Sequence, residues 1–241
     1  SSGSLTVTDS TLNDNRAVGG DGGAVSGEYG VNIQRSTLDG NEILDYWGSG
    51  GAAYSRNGVL AVANSTITRN TATDSTADHY GSGGGVRADF GSVRLRHATL
   101  AGNAADSGAN VSGWGSTGST FASVLTNPLG GGTNCSNAVP TSIGYNHATD
   151  GSCGLDGPGD VANGADPQLM ALGDYGGPTH TRPPLASSPL VDAIPNAACD
   201  PTLTTDQRAR PRPFPAGGRC DTGAVEADDT TRPRPDGRIK K

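Results

Sequence analysis

Four stretches in the first half of the chain repeat one arrangement of apolar residues and asparagine with unchanged internal spacing. In each stretch two apolar residues stand two positions apart, a third follows five positions later, and an asparagine follows three positions after that. The stretches begin at Leu5, Val31, Leu60 and Val93, so successive copies are 26, 29 and 33 residues apart. A unit of fixed spacing that alternates with a loop of variable length is typical of a solenoid.

The spacing within each unit predicts β-strands. Side chains two positions apart in a strand point to the same face, so Leu5 and Val7 would both face the interior, and the third apolar residue would begin a second strand after a bend. No 3.6-residue period is present, which argues against helices. With 38 Gly, three Phe and one Met in 241 residues, the chain suits a narrow interior better than a broad globular core. The predicted fold is all-β, a parallel β-helix.

The asparagine that ends each unit has a predicted structural role. Asparagine tolerates the left-handed backbone of a tight corner, and its amide can bond to the copies above and below it. We therefore expect a stacked ladder of Asn15, Asn41, Asn70 and Asn103.

Charge and hydropathy argue against two kinds of partner. The net charge is −7, whereas nucleic-acid-binding proteins need basic stripes. No apolar run approaches the roughly 18 residues that a membrane-spanning helix requires. We expect neither nucleic-acid binding nor a membrane span.

Four cysteines lie outside the repeats as two sequence-local pairs, Cys135 with Cys153 and Cys199 with Cys220. We interpret them as two disulfides, which are typical of secreted or cell-surface proteins. Four reduced thiols or a zinc site are the alternatives, although the chain has no close Cys-x2-Cys pair and no matching pair of histidines.

The first copy of the repeat begins at Leu5, close to the start of the sequence. A β-helix normally covers its first coil, because an open end exposes strand edges. We expect either that the chain is a piece of a longer protein or that an uncapped first coil docks against another subunit or another copy of the chain.

From about residue 127 the repeat ends, proline becomes frequent, and a different series of motifs follows. They are Ser142-Ile143-Gly144-Tyr145-Asn146, Asp150-Gly151-Ser152-Cys153-Gly154-Leu155, Asp166-Pro167-x-Leu169, Leu172-Gly173-Asp174-Tyr175-Gly176-Gly177-Pro178-Thr179-x-Thr181, Ser188-Pro189-x-Val191-Asp192-Ala193, Thr205-Asp206-Gln207-Arg208 and Cys220-Asp221-Thr222-Gly223-Ala224-Val225-Glu226. In this order they resemble the bacterial choice-of-anchor Q domain, over roughly residues 98–227. The resemblance implies the end of a right-handed parallel β-helix in a bacterial surface or secreted protein, and it implies no catalytic residue.

Three regions are therefore predicted. Residues 1–126 would form the β-helix coils, 127–227 an irregular, disulfide-stapled C-terminal cap of the choice-of-anchor Q type, and 228–241 a flexible basic tail. No hydrophobic anchor segment follows the cap in this sequence, which departs from the pattern of the family.

The register of the repeat also predicts which residues face outward in columns. Polysaccharide lyases and glycosidases need carboxylates or basic groups clustered on an outer face, and these columns hold no carboxylate pair. Arg87, Arg94, Arg96 and His97 form a predicted basic patch, which would bind an acidic sugar or simply be solvated. The columns are Thr6, Asn32, Ala61 and Arg94, then Thr8, Gln34, Ala63 and Arg96, then Asp9, Arg35, Asn64 and His97.

Two variable loops can be aligned so that aromatic and acidic residues stack on one edge. Aromatic faces beside carboxylates suit sugars, so this edge is the predicted carbohydrate-binding site, with packing of the rings on one another as the alternative. The two aspartates indicate a Ca²⁺ site only weakly, because the chain lacks the glycine-rich array of calcium-binding β-helices. No other cofactor is expected. The residues are Asp45, Tyr46, Trp47, Asp78, His79 and Tyr80.

These features favour an extracellular or cell-surface β-helix module, adhesive or structural, that contacts a protein or polysaccharide partner without catalysis. The alternatives are a polysaccharide lyase or glycoside hydrolase of the β-helix type and a carbohydrate-binding module.

Overall fold

A computed structural model of the chain describes residues 3–44, 48–73, 81–137 and 140–228. The chain forms a parallel β-solenoid of about five turns, which confirms the predicted all-β fold. Two 3₁₀ turns, Gly151–Cys153 and Asn196–Ala198, interrupt the C-terminal region. The strands are β1 Leu5–Thr8, β2 Thr11–Asn13, β3 Arg16–Val18, β4 Val25–Gly27, β5 Gly30–Gln34, β6 Thr37–Asp39, β7 Glu42–Leu44, β8 Ala53–Arg56, β9 Val59–Thr68, β10 Thr71–Thr73, β11 Val86–Asp89, β12 Ser92–Ala101, β13 Ala104–Ala105, β14 Val111–Trp114, β15 Thr117–Phe121, β16 Val124–Thr126, β17 Cys135–Ser136, β18 Thr141–Gly144 and β19 His147–Ala148.

Three parallel sheets run along the solenoid. The first follows the order β1-β5-β9-β12-β15-β18 and continues round a bend through β2, β6, β16 and β19. The second sheet is β3-β7-β10-β13 and the third is β4-β8-β11-β14-β17. Leu5 pairs with Val31, Val31 with Leu60 and Leu60 with Val93, as the repeat predicts. Strands β17, β18 and β19 extend the first and third sheets beyond residue 126, where the repeat is no longer visible in the sequence.

The interior is a narrow column of aliphatic side chains, of which Ile33, Leu60 and Leu95 are fully buried. Disulfide Cys135–Cys153 joins the same apolar cluster and closes one end of this column. The second predicted disulfide, Cys199–Cys220, is also present and packs on Phe121.

The four predicted asparagines form a continuous amide ladder at one corner. The Nδ2 of Asn15 donates to Oδ1 of Asn41 at 2.8 Å, Asn41 donates to Asn70 at 2.8 Å, and Asn70 donates to Asn103 at 2.9 Å. The same amides also bond to the backbone, for example from Asn70 to the Leu38 carbonyl at 2.9 Å. The ladder therefore satisfies polar groups that the tight corner would otherwise leave buried and unpaired.

The ladder differs from the sequence prediction in two respects. The left-handed residue stands one position before each asparagine, at Asp14, Gly40, Arg69 and Gly102. The ladder also continues past Asn103, whose Nδ2 donates to Asn110 at 2.7 Å, and Asn110 donates to Asn134 at 2.6 Å. Asn110 and Asn134 are therefore part of the same structural feature, although they stand outside the repeat.

The sequence predicted that the C-terminal region would cap the end of the solenoid. In the structure this region also contacts the side of the solenoid. Its irregular part, residues 166–228, which we call the strap, runs back along the bend of the first sheet. Thr66 Oγ1 donates to Gln207 Oε1 of the strap at 2.7 Å. One coil nearer the start of the solenoid, Thr37 Oγ1 donates to the strap at the His180 carbonyl. The strap therefore ties successive coils together along one flank.

Replacing Asn70 with alanine is expected to destabilise the protein by about 3 kcal/mol, because it leaves several buried backbone groups without partners. Asn13→Ala is the matched control, since Asn13 is exposed and bonds only to the side chain of Asp14. Denaturant unfolding of both variants measures the difference. A loss below about 1 kcal/mol for Asn70→Ala would contradict a structural role for the ladder.

Candidate functional site: an exposed aromatic corner

The carbohydrate site predicted from the variable loops lies outside the described residues. Asp45, Tyr46, Trp47, Asp78, His79 and Tyr80 all belong to that part of the chain. This site stays a prediction from sequence.

The predicted basic patch is not one surface in the structure. Arg87 lies on the third sheet, where its Nε donates to Asp89 at 3.0 Å. Arg94 and Arg96 lie on the exposed face of the first sheet, and Arg96 pairs with Asp200 of the strap. His97 is fully buried at the bend beneath the strap. Of the four residues, Arg94 alone is exposed without an ion pair or hydrogen bond.

His97 belongs to a buried ionic cluster with Arg212, Asp221 and Glu226. Arg212 Nη1 lies 2.6 Å from His97 Nδ1 and donates to Glu226 Oε1 at 2.7 Å. Burial, reinforced by the charge of Arg212, holds the pKa of His97 well below its usual range. Burial likewise raises the pKa of Glu226 to about 7 and that of Asp221 to about 6, although Arg212 opposes both shifts. The cluster fixes the strap to the bend.

Asp221 and Glu226 form a carboxylate pair that stabilises the strap and is not accessible to a ligand at the surface. Both are buried, and Asp221 accepts from the backbone N–H groups of Asp192 and Ala227. A polymer on the protein surface could not reach them.

A different set of residues, three exposed aromatic side chains, forms an apolar feature on the solenoid surface. Tyr29, Phe90 and Trp114 are 62%, 56% and 59% exposed. All three lie at the corner where the third sheet turns into the first, in the segments β4–β5, β11–β12 and β14–β15. We call these three residues the aromatic corner. Tyr29 and Phe90 lie two coils apart, about 10 Å along the axis, and Trp114 is on the next coil.

Polar side chains surround the aromatic corner. Arg56 and Asn57 are exposed on the coil between Tyr29 and Phe90, and Asn57 donates to Glu28 at 2.9 Å. Arg56 pairs in register with Asp89, which in turn pairs with Trp114. Rings flanked by planar hydrogen-bonding groups are the combination that binds sugars.

A shallow hollow of about 230 Å³ opens beside Tyr29 on the first sheet. Asn32 and Ala61 form part of its floor, and the register partner of Ala61 on the next coil is Arg94. The small side chain of Ala61 therefore leaves a depression between Tyr29 and Arg94.

Two glycines allow the coils to stack closely at this corner. A Cβ on Gly58 would lie 2.1 Å from the carbonyl carbon of Tyr29, and one on Gly91 would lie 2.0 Å from the carbonyl oxygen of Gly58. Side chains are thus excluded directly above Tyr29, which leaves its ring uncovered.

Sequence reasoning missed the aromatic corner, although a signal exists. Each ring directly precedes a glycine at the turn between sheets, in Tyr29-Gly30, Phe90-Gly91 and Trp114-Gly115. The rings stand two, three and four residues before the first apolar position of the repeat or its register equivalent, which are Val31, Val93 and Gly118. The register could therefore have placed the three rings near one corner.

The described residues contain neither a metal-binding cluster nor a membrane-spanning helix. Within these residues no three His, Cys, Asp or Glu side chains are grouped closely enough to hold a metal ion. None of the described helical segments is long and apolar enough to cross a bilayer.

Comparison with known proteins gives no match to any family model, curated protein or solved structure. The resemblance to the choice-of-anchor Q domain therefore stays a prediction from sequence motifs.

The raised pKa of Glu226 predicts a specific pH dependence of stability. Between about pH 4.5 and pH 7 the unfolded chain releases the Glu226 proton while the folded protein retains it, so stability falls as the pH rises. Glu226→Gln cannot titrate and should lack this fall, which we expect to amount to about 2 kcal/mol.

The measurement is the difference in unfolding free energy between wild type and variant at pH 5 and pH 8. The low pKa of His97 lowers stability as the pH falls below about 6.5, which is the opposite trend. His97 is present in both proteins, so its contribution cancels when the free energy of the variant is subtracted from that of the wild type. Glu42→Gln, on the solenoid surface, is the control. A difference that does not change with pH would show that Glu226 is not protonated in the folded protein.

Proposed function

We propose that this protein is a non-catalytic β-solenoid module that binds a polysaccharide along its aromatic corner. The observation that carries the proposal is the exposure of Tyr29, Phe90 and Trp114 on one corner of an otherwise aromatic-poor chain. Burying an aromatic ring against a sugar face gains apolar contact that a hydrated surface lacks, so such rings are costly to expose without a partner.

The shape of the corner also favours a polymer over a small ligand. The three rings are spread along the solenoid axis over several coils, and the hollow beside Tyr29 is shallow rather than enclosed. A small ligand is usually held in a deep pocket that buries most of its surface, whereas a chain of sugars can contact each ring in turn.

Binding without turnover is supported by the position of the ionisable groups. The carboxylate pair of Asp221 and Glu226 is buried beneath the strap. The outward columns of the first sheet carry Thr, Asn, Gln, Ala and Arg rather than paired carboxylates.

We also propose an extracellular setting at a bacterial surface, with an adhesive role. Two disulfides support an oxidising compartment. The motifs in residues 98–227 that resemble the choice-of-anchor Q domain support the bacterial surface.

Trp114→Ala and Phe90→Ala are each expected to weaken polysaccharide binding about tenfold, because each removes one stacking surface. Affinity electrophoresis against a panel of neutral and charged polysaccharides measures the change. Leu129→Ala is the matched control, because Leu129 is 53% exposed but lies beside the second sheet.

Three outcomes would contradict the proposal. Equal weakening by Leu129→Ala would show that general surface hydrophobicity, not the corner, is responsible. Failure of the whole panel to bind would favour a protein partner. Release of unsaturated or reducing products would instead identify a lyase or a hydrolase.

A further inference from the structure

We infer that the polysaccharide bound at the aromatic corner is anionic, with carboxylate or sulfate groups held by Arg56 and Arg94. This inference rests on the proposed function and specifies the chemical class of its ligand.

The evidence begins with the partners of the arginines. Among the described arginines, only Arg56 and Arg94 make neither a hydrogen bond nor an ion pair, and both are exposed. The arginines that do have such partners are Arg16, Arg35, Arg69, Arg87, Arg96, Arg182, Arg208, Arg210, Arg212 and Arg219. These two guanidinium groups are therefore unpaired in a chain that carries 24 acidic and 17 basic residues.

Both unpaired arginines flank the aromatic corner. Arg56 ends β8 on the third-sheet side, one coil before Phe90. Arg94 lies on β12 on the first-sheet side, beside the hollow that Tyr29 lines. A polymer stacked on the rings would therefore have one guanidinium group on each side of it.

The carboxylates nearest the corner are already engaged. Asp89, the register neighbour of Arg56, accepts from Arg87 at 3.0 Å and from the Tyr54 hydroxyl at 3.2 Å. Glu28 accepts from Asn57 at 2.9 Å. Neither acid forms an ion pair with Arg56 or Arg94, so both guanidinium groups can donate to an incoming anion.

The chemistry of the guanidinium group suits such a ligand. Its planar N–H fork matches the two oxygens of a carboxylate or sulfate, and charge-assisted hydrogen bonds of this kind are about twice as strong as neutral ones. A neutral sugar would gain much less from these two side chains.

The test measures the affinity of wild type, Arg56→Gln, Arg94→Gln and the double variant for polygalacturonate, dextran sulfate and uncharged dextran. Polygalacturonate whose carboxyl groups have been chemically reduced to alcohols serves as a ligand of the same backbone without charge. Arg16→Gln is the matched protein control, since Arg16 is exposed and lies on the second sheet. Circular dichroism checks that every variant is folded.

We expect each arginine substitution to weaken binding of an anionic polymer about tenfold and the double variant about a hundredfold. Added salt should weaken wild-type binding more steeply than that of the double variant, because fewer charges remain to be screened. Preference for polygalacturonate or for dextran sulfate would identify the anionic group. Arg16→Gln should bind as the wild type does.

Failure of this inference is distinguishable from failure of the proposed function. If dextran or reduced polygalacturonate binds as tightly as the charged polymers, and the arginine variants bind normally, the anionic ligand is ruled out while polysaccharide binding at the rings stands. If no polymer binds to the wild type, both are overturned. Equal losses in Arg16→Gln would reduce the effect to overall charge and overturn the inference.

Discussion

The amide ladder at the asparagine corner is the constraint on which the rest of the solenoid depends. Most of the strands have three to five residues and cannot be stable alone, and each corner between them turns backbone groups toward a dry interior. Asn41, Asn70 and Asn103 pair those groups and are wholly buried. Because each amide bonds to the coil on either side, a shift of one coil by a single residue would break the ladder. The ladder therefore fixes the register, and the register fixes every column of side chains on the surface.

Adjacent Ser and Thr residues at the bend bond in two directions: the serine to the next coil and the threonine to the strap. The Oγ of Ser36 accepts from the backbone N–H of Ser10 at 3.2 Å, and so links one coil to the next. The neighbouring Thr37 and Thr66 face outward and bond to the strap, where the Gln207 amide donates to Thr37 at 2.9 Å and accepts from Thr66 at 2.7 Å. A Ser-Thr pair precedes the third apolar residue in three of the four repeats, at Ser10-Thr11, Ser36-Thr37 and Ser65-Thr66. One bond within the solenoid and another to the strap explain this pair.

How far the sequence predicts the structure depends on whether a feature recurs. The coils could be predicted because their apolar and asparagine positions repeat at fixed spacing, and all the predicted register pairs are present. The path of the strap could not, because Gln207 meets Thr66 across 141 residues in a single contact that no period reveals. His97 was misplaced for the same reason. Its column faces outward in the bare repeat, and the strap, through Arg212 among other residues, turns that position into part of the interior.

The strap also determines which part of the first sheet stays exposed. It covers the bend of the first sheet, where it buries Thr37, Thr66 and Thr99. It leaves the aromatic corner exposed. Buried charges of the strap are neutralised within the protein, as Arg208 is by Asp206 at 2.8 Å, because an unpaired buried charge costs several kcal/mol. Arg56, at the uncovered corner, is under no such requirement. The aromatic corner takes no part in the ladder or in the strap contacts, so its residues can change without loss of the ladder that holds the coils in register.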